Sequence, residues 1–163
     1  MSSTDPPHAA TSAIRVIPQR ADHPDAAALL AAYVGEIQRR LGAFDPARSV
    51  SADPEEMAPP RGAFLVVYDA DAPVACGGIK TIGEATGEIK RMFVDPAARR
   101  RGHGRRLLTA LEDAARTLGH RAVRLDTADP LVEATDLYVA TGYRPIAPYN
   151  DNPFATRWFE KPL

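Results

Sequence analysis

Five arginines and two glycines fall within the eight residues Arg99-Arg100-Arg101-Gly102-His103-Gly104-Arg105-Arg106. An apolar, strand-like run precedes them and a helical pattern follows. The first turn of a helix has unpaired backbone N–H groups and a partial positive charge. Glycines let such a backbone approach a bulky anion closely. Together these features suit a pyrophosphate. A solvated arginine face or a general polyanion patch has the same composition. Two other phosphate-binding patterns fail: a dinucleotide fingerprint needs glycine where Leu107 stands, and no Gly-Lys-Ser/Thr sequence is present.

The elements that must position this junction follow from periodicity. Ile14–Pro18 reads as a first strand. Asp22 or Asp25 can cap a helix whose apolar stripe is Leu30, Val34, Ile37 and Leu41, ended by Gly42. Residues 43–60 form a loop with a short helical turn at Asp53–Met57. Ala63–Tyr68, Val74–Ile82 and Glu88–Val94 form an antiparallel meander with turns at Asp69–Pro73 and Gly83–Gly87. A helix from about Gly104 to Leu118 buries Leu107, Leu108, Leu111, Ala115 and Leu118, with Gly119 at C′. Val123–Thr127 is a strand. Asp129-Pro130 opens a helix with Ala134, Leu137, Tyr138 and Thr141 on one face, closed by Gly142. Tyr143–Ile146 and Thr156–Lys161 complete the strands. The fold class is α/β: a mixed, mostly antiparallel twisted sheet of about seven strands flanked by helices.

Composition bounds the function. The 163 residues suit one domain, over 13–163, with residues 1–12 as a disordered tail. A net charge of −1 makes the chain no polycation, so nucleic-acid binding would need a local basis. The tail has no secretory pattern, and no apolar run is long enough to span a bilayer. A single cysteine, Cys76, excludes an internal disulfide framework and a Cys-rich zinc site, consistent with a reducing cytoplasm. The four histidines have no metal-ligand spacing.

Arg99-x-x-Gly102-x-Gly104, after Glu88-Ile-Lys-Arg-Met-Phe-Val94, resembles the acetyl-CoA motif of the GNAT N-acetyltransferase superfamily. Ala134-x-x-Leu137-Tyr138-x-x-x-Gly142-Tyr143 is similar to that family's second signature, and the closing Tyr149-Asn-Asp-Asn-Pro-Phe and Trp158-Phe-Glu-Lys resemble small bacterial members. The resemblance covers residues 13–163. It implies that the fourth and fifth strands splay and admit the pantetheine arm, which pairs with backbone at Met92, Phe93 and Val94. It also implies a pyrophosphate cradle from Arg99, Arg100, Arg101, Gly102, His103, Gly104 and Arg105. His103, at a variable position, is expected to be a filler. Many family members carry Asn seven residues before the matching tyrosine. Leu131 stands there, leaving Asp126, Thr127 or Asp129 as replacements.

The implied activity is acetyl transfer from acetyl-CoA to a primary amine by direct attack. The amine must be neutral, yet with a pKa of about 10.4 only about one molecule in a few thousand is neutral at pH 7. A base therefore helps. Glu88 stands where a number of relatives carry a catalytic glutamate, and simple alternation places it on one face with Lys90, Met92 and Val94. It equally suits a solvated or Lys-paired position. Tyr138 is the candidate general acid, since a phenol of pKa about 10 can protonate a thiolate whose conjugate acid lies at about 8.5; a satisfied core tyrosine is the alternative.

Residues 43–61 and 147–156 are the expected acceptor walls. Their acids Asp45, Asp53, Glu55, Glu56 and Asp151, against Arg48 and Arg61, suit either a cationic amine or simply a solvated acidic loop, and Tyr33, Phe44 and Tyr149 suit either a pocket wall or the core and rim. A small-molecule or peptide amine is the implied partner, with a homodimer by analogy and no metal, nucleic acid or membrane. The alternatives are a non-catalytic acyl-CoA sensor or interaction module and, on Arg99–Arg106, a polyanion-binding protein. Cys76 reads as a buried small residue rather than a nucleophile.

Overall fold

The computed structural model describes residues 13–48 and 53–163. The expected tail over 1–12 and residues 49–52 of the expected loop lie outside the described residues. Helices and strands occur in the predicted order: β1 (Ile14–Pro18), α1 (Pro24–Leu41), β2 (Gly62–Asp69), β3 (Ala72–Gly83), β4 (Thr86–Val94), α2 (His103–Thr117), β5 (Ala122–Thr127), α3 (Val132–Ala140), β6 (Arg144–Ile146) and β7 (Arg157–Pro162). They build one seven-stranded sheet in the order β1-β2-β3-β4-β5-β7-β6. Every neighbouring pair is antiparallel except β4 and β5, which run parallel.

Each face of the sheet has its own core. On one face α2 packs Leu107, Leu108 and Leu111, all at most 1% exposed, against Leu65, Val67, Ile79 and Leu125. Each such leucine contributes about 2 kcal/mol of transfer free energy. On the other face α1 covers Phe64, Val66, Cys76 and Phe93. Its buried residues are Ala26, Leu29 and Ile37, while Leu30, Val34 and Leu41 are half-buried. The stripe is thus rotated from the expected 30-34-37-41 register. The small, fully buried Ala26 brings the helix close to the sheet, and Tyr33 makes an edge contact with Phe93 at 6.2 Å.

The helix starts depart from expectation. His23, not Asp22 or Asp25, caps α1, its Nδ1 accepting from the Asp25 N–H at 3.2 Å. The Asp25 carboxylate instead accepts from the Tyr68 hydroxyl at 2.6 Å, and Asp22 binds Arg20. Asp129-Pro130 precedes α3 in a turn, because Asp129 is held by Arg157 at 2.6 Å. The predicted ends hold. In both α2 and α3 a paired set of backbone bonds closes the last turn: His120 to Ala115 and Gly119 to Arg116, then Tyr143 to Tyr138 and Gly142 to Val139.

Two irregularities shape the centre of the sheet. β4 and β5 pair only at Thr86–Glu88 against Ala122–Arg124. Beyond Glu88 they diverge, leaving the β5-facing edge of β4 without a strand partner. In addition, the β3–β4 register shifts between Cys76↔Phe93 and Gly78↔Lys90, so Arg91 and Met92 together oppose Gly77. Arg91 takes φ 57°, the conformation of a bulge. The bulge reverses the alternation. Glu88 and Lys90 lie on the α1 face with Phe93, whereas Met92 and Val94 pack toward the α2 core. The expectation that Glu88, Lys90, Met92 and Val94 share one face is therefore corrected. No helix among the described residues is long and apolar enough to cross a membrane.

Candidate active site

The cleft opened by the divergence of β4 and β5 contains two adjoining cavities. The larger, about 610 Å³, lies between α1, the end of β4, the start of α2 and α3. The smaller, about 80 Å³, lies deeper between β4 and β5. Tyr33, Met92, Leu131, Ala134 and Tyr138 line both.

The arginine-glycine junction forms one end of the larger cavity. Asp95 caps a single 3-10 turn over Pro96–Ala98, accepting from the Ala97 N–H at 2.8 Å. The chain then takes left-handed conformations at Arg100 (φ 65°) and Gly102 (φ 80°) before α2 begins. Glycine suits position 102, where L-residues are strained. Arg106 donates to the Gly102 carbonyl at 3.1 Å. The N–H groups from Gly102 to Arg105 precede the helical ladder and are left for a ligand. Gly104 brings the helix start against its neighbours: a Cβ there would lie 3.3 Å from Leu137 Cδ2. These features fit a diphosphate.

The arginines divide into different roles. Arg99 donates to the Val94 carbonyl at 3.0 Å and to both oxygens of Glu36 at 2.8 and 2.6 Å, its guanidinium over the Phe93 ring. It braces the turn, and its charge is matched by Glu36. Arg101 lies outside the cavity with a 62% exposed side chain, 4.0 Å from Asp69. Arg100 and Arg105 line the cavity and have no carboxylate at ion-pair distance among the described residues. His103 contributes to the wall, but its ring is buried with Nε2 3.5 Å from Asp69 Oδ2. A strap crosses the cavity from α1 to α3: Arg40 donates to both oxygens of Glu133 at 2.8 and 2.9 Å. That pairing holds the Glu133 carboxyl down to about 2.

Tyr138 stands where the cavities meet. Its hydroxyl lies 3.8 Å from Met92 Sδ, and its ring packs near Tyr143 and Phe159. Burial pushes its ionisation above the ordinary tyrosine value, so the phenol keeps its proton at neutral pH. Glu88 lines neither cavity. Only 2% exposed, it accepts from the Tyr149 hydroxyl at 2.6 Å and from Asn150 at 3.2 Å, with Lys90 Nζ at 3.4 Å. The carboxylate at the smaller cavity is Asp126, bound by Lys90 at 3.2 Å, Asn150 at 2.7 Å and Asn152 at 3.0 Å. Trp158 fixes Asn150 by donating to its Oδ1 at 2.9 Å.

Of the replacements for the usual Asn, Asp126 and Thr127 line the smaller cavity and Asp129 does not. Of the five acids expected in the acceptor wall, four are in local pairs and the fifth, Asp151, is exposed and lines neither cavity. Asp45 and Asp53 accept from backbone N–H groups of their own turns, Glu55 binds Arg20, and Glu56 binds Lys80. From residues 147–156 only Asn152 lines a cavity, while Tyr149 donates to Glu88 and Phe44 packs on Phe154 at 4.9 Å. Sequence reasoning missed Glu36, Arg40 and Glu133, whose charges read as ordinary helix surface, and Lys90 and Arg91, masked by the bulge. Cys76 is fully buried, its thiol pushed up to about 12 by burial.

Comparison with known proteins agrees with this geometry. The model of the Acetyltransferase (GNAT) family matches residues 29–143. An IAA acetyltransferase from Azospirillum brasilense is 38% identical over 135 residues, 80% of this chain and 88% of that protein. The structure of a GNAT-family acetyltransferase from Staphylococcus aureus superposes with a TM-score of 0.76 at 20% identity, covering 93% of this chain and 99% of that one. A GNAT-family acetyltransferase from Elizabethkingia anophelis, solved with acetyl-CoA bound, gives a TM-score of 0.65 at 18% identity over 92% and 98%. Diverging central strands, a glycine-started helix and a buried tyrosine thus occur in a chain whose greater part matches one family model, and the chain belongs to the GNAT acetyltransferase family.

Proposed function

We propose that the protein transfers an acetyl group from acetyl-CoA to a primary amine by direct attack. The observation that carries this reading is the convergence of three features on one cleft. They are the free N–H groups at the start of α2, the unpaired edge of β4, and the Tyr138 hydroxyl.

Bound acetyl-CoA supplies an activated thioester carbonyl. The N–H groups of Gly102–Arg105 hold its diphosphate, with Arg100 and Arg105 adding charge. Arg99, His103 and Arg101 support or flank that turn. The backbone of Met92–Val94 receives the amide-bearing arm along the β4 edge. An N–H near Met92 steadies the developing negative charge on the carbonyl oxygen. Tyr138 donates its proton to the departing sulfur and recovers one from the amine side through solvent. Asp126 reaches the smaller cavity and faces the amine. Glu88 is a positioning residue, holding Lys90, Tyr149 and Asn150 so that Asp126 keeps its place. A homodimer in a reducing cytoplasm remains part of this reading by analogy.

The test is release of free thiol from acetyl-CoA over a panel of amines, with equilibrium binding of acetyl-CoA measured alongside. Amine-dependent thiol release is expected. Binding without release for any amine would instead identify a non-catalytic acyl-CoA sensor.

A further inference from the structure

The smaller cavity has a charge pattern that amine acetylation does not require. Four charged side chains belong to this region: Glu88, Lys90, Arg91 and Asp126. Three form one closed set, with Lys90 between Glu88 at 3.4 Å and Asp126 at 3.2 Å. Asn150 and Asn152 complete the coordination of Asp126. Arg91 stands outside that set. Its guanidinium lies over the Tyr33 ring, 5.8 Å from the centroid, and no carboxylate among the described residues is at ion-pair distance.

Its position follows from the bulge. Arg91 adopts φ 57°, uncommon for a residue with a side chain and costing of order 1 kcal/mol. The same bulge places it at the cavity wall beside Met92. Tyr33 supports the guanidinium by a cation–π contact without neutralising it. Arg91 also shares a side-chain hydrogen bond with Tyr33, so it lacks a counter-charge rather than a polar partner; Thr127 lines the same cavity with its hydroxyl buried and without a hydrogen-bond partner among the described residues. The cavity wall therefore carries a negative pole at Asp126 and, outside its closed set, a positive pole at Arg91. The cavity volume of about 80 Å³, against about 610 Å³ for the adjoining cavity, favours a compact acceptor.

We propose that the acceptor is a small amino acid, its carboxylate held by Arg91 and its amine directed toward Asp126 and the reacting carbonyl. This rests on the acetyltransferase reading above and adds the acceptor class. It replaces the cationic amine suggested by the acidic loops, four of whose five acids are engaged by Arg20, Lys80 and their own turns while the fifth, Asp151, is exposed and lines neither cavity. A guanidinium gives a carboxylate two parallel charge-assisted bonds, which an amide or a bare amine cannot accept equally.

The experiment compares free amino acids, their carboxamides and the corresponding decarboxylated amines. The full chain is used as wild type, Arg91→Gln and Arg91→Lys. Thiol release gives kcat/KM, and calorimetric titration of each acceptor into the protein gives binding without turnover. Wild type should prefer the amino acid to its carboxamide by at least about 30-fold, mostly in KM. Arg91→Gln should bring that ratio close to one, and Arg91→Lys should restore part of it. Melting curves verify that each variant is folded. If thiol release fails for every acceptor, the acetyltransferase reading fails separately. Calorimetry still decides the Arg91 assignment: binding of the amino acid that Arg91→Gln abolishes supports it, and no binding to wild type overturns it. Equal wild-type kcat/KM for acid and amide, or a parallel loss for all acceptors in Arg91→Gln, would also overturn it.

Discussion

The two ends of the cleft are built from different material. At the start of α2 the binding groups are backbone N–H groups, set by two left-handed residues and a helix start. Even Arg99, which lines the cavity there, is occupied by Glu36 and the Val94 carbonyl. Between β4 and β5 the groups lining the cleft are side chains from α1, β4, β5 and the segment before β7, of which Lys90, Asp126 and Asn152 join with Asn150 in one hydrogen-bonded network. A backbone site constrains conformation and tolerates many side chains. A side-chain site constrains identity at positions far apart in sequence. One end can thus be common to many acetyltransferases while the other is particular to this chain.

The residue at the junction of the ends gives the largest expected effect. Tyr138→Phe removes only the hydroxyl beside Met92 and leaves the ring packing on Tyr143 and Phe159. Turnover should fall by about 100-fold or more, the range of a general acid. Acetyl-CoA affinity, held at the backbone end, should change by less than about twofold. Steady-state rates and equilibrium titration separate the two quantities. Unchanged turnover would remove Tyr138 as the acid.

The same division explains what the sequence made legible. Gly102, Gly104 and the apolar stripe of α2 are close neighbours in sequence, so their spacing outlines a glycine-bearing turn into a helix, and the family resemblance supplied the pyrophosphate reading. The order of strands and helices is legible for the same reason, since each element has its own period. Glu88 shows where local reasoning stops. The family resemblance implied a catalytic position, but Tyr149 and Asn150, some sixty residues away, enclose it. Alternation along β4 failed because a bulge depends on register with β3, which no single-strand pattern contains. Asp126, Arg91 and Asn152 acquire a common role only through the sheet order β4-β5-β7.

The backbone end can be tested by contrasting a glycine with an arginine. Gly102→Ala places a side chain in open space, so no clash opposes it, but φ 80° disfavours any L-residue by about 1 kcal/mol. Either the turn keeps its shape and the fold loses that stability, or it relaxes and the N–H groups lose their aim. Acetyl-CoA affinity should fall by up to about fivefold, with a lower midpoint of unfolding. Arg101→Ala removes a full charge from the same loop, outside the cavity, and should alter affinity by less than about twofold. A larger loss for Arg101→Ala than for Gly102→Ala would mean that side-chain charge, not backbone, dominates this end.

The smallest expected effect concerns the side-chain pair that bridges the donor end of the cleft. Arg40 and Glu133 bridge α1 and α3 over the larger cavity, and hydrogen bonding from Arg40 lowers the Glu133 carboxyl from its usual 4.5 to about 2. A carboxyl depressed in the folded state stabilises that state above its unfolded value, and the contribution is lost as pH falls through the folded value. The strap should therefore be fully formed above about pH 5 and fade toward pH 2. Glu133 is 64% exposed, so solvent screens the pair and its worth is about 0.5 kcal/mol rather than what the shift alone suggests. Urea unfolding of Glu133→Gln should show that loss at pH 7 and low salt, less at high salt, and a shrinking difference from wild type below about pH 4.5. A difference independent of both pH and salt would assign the strap's contribution to packing of the Arg40 stem instead of charge.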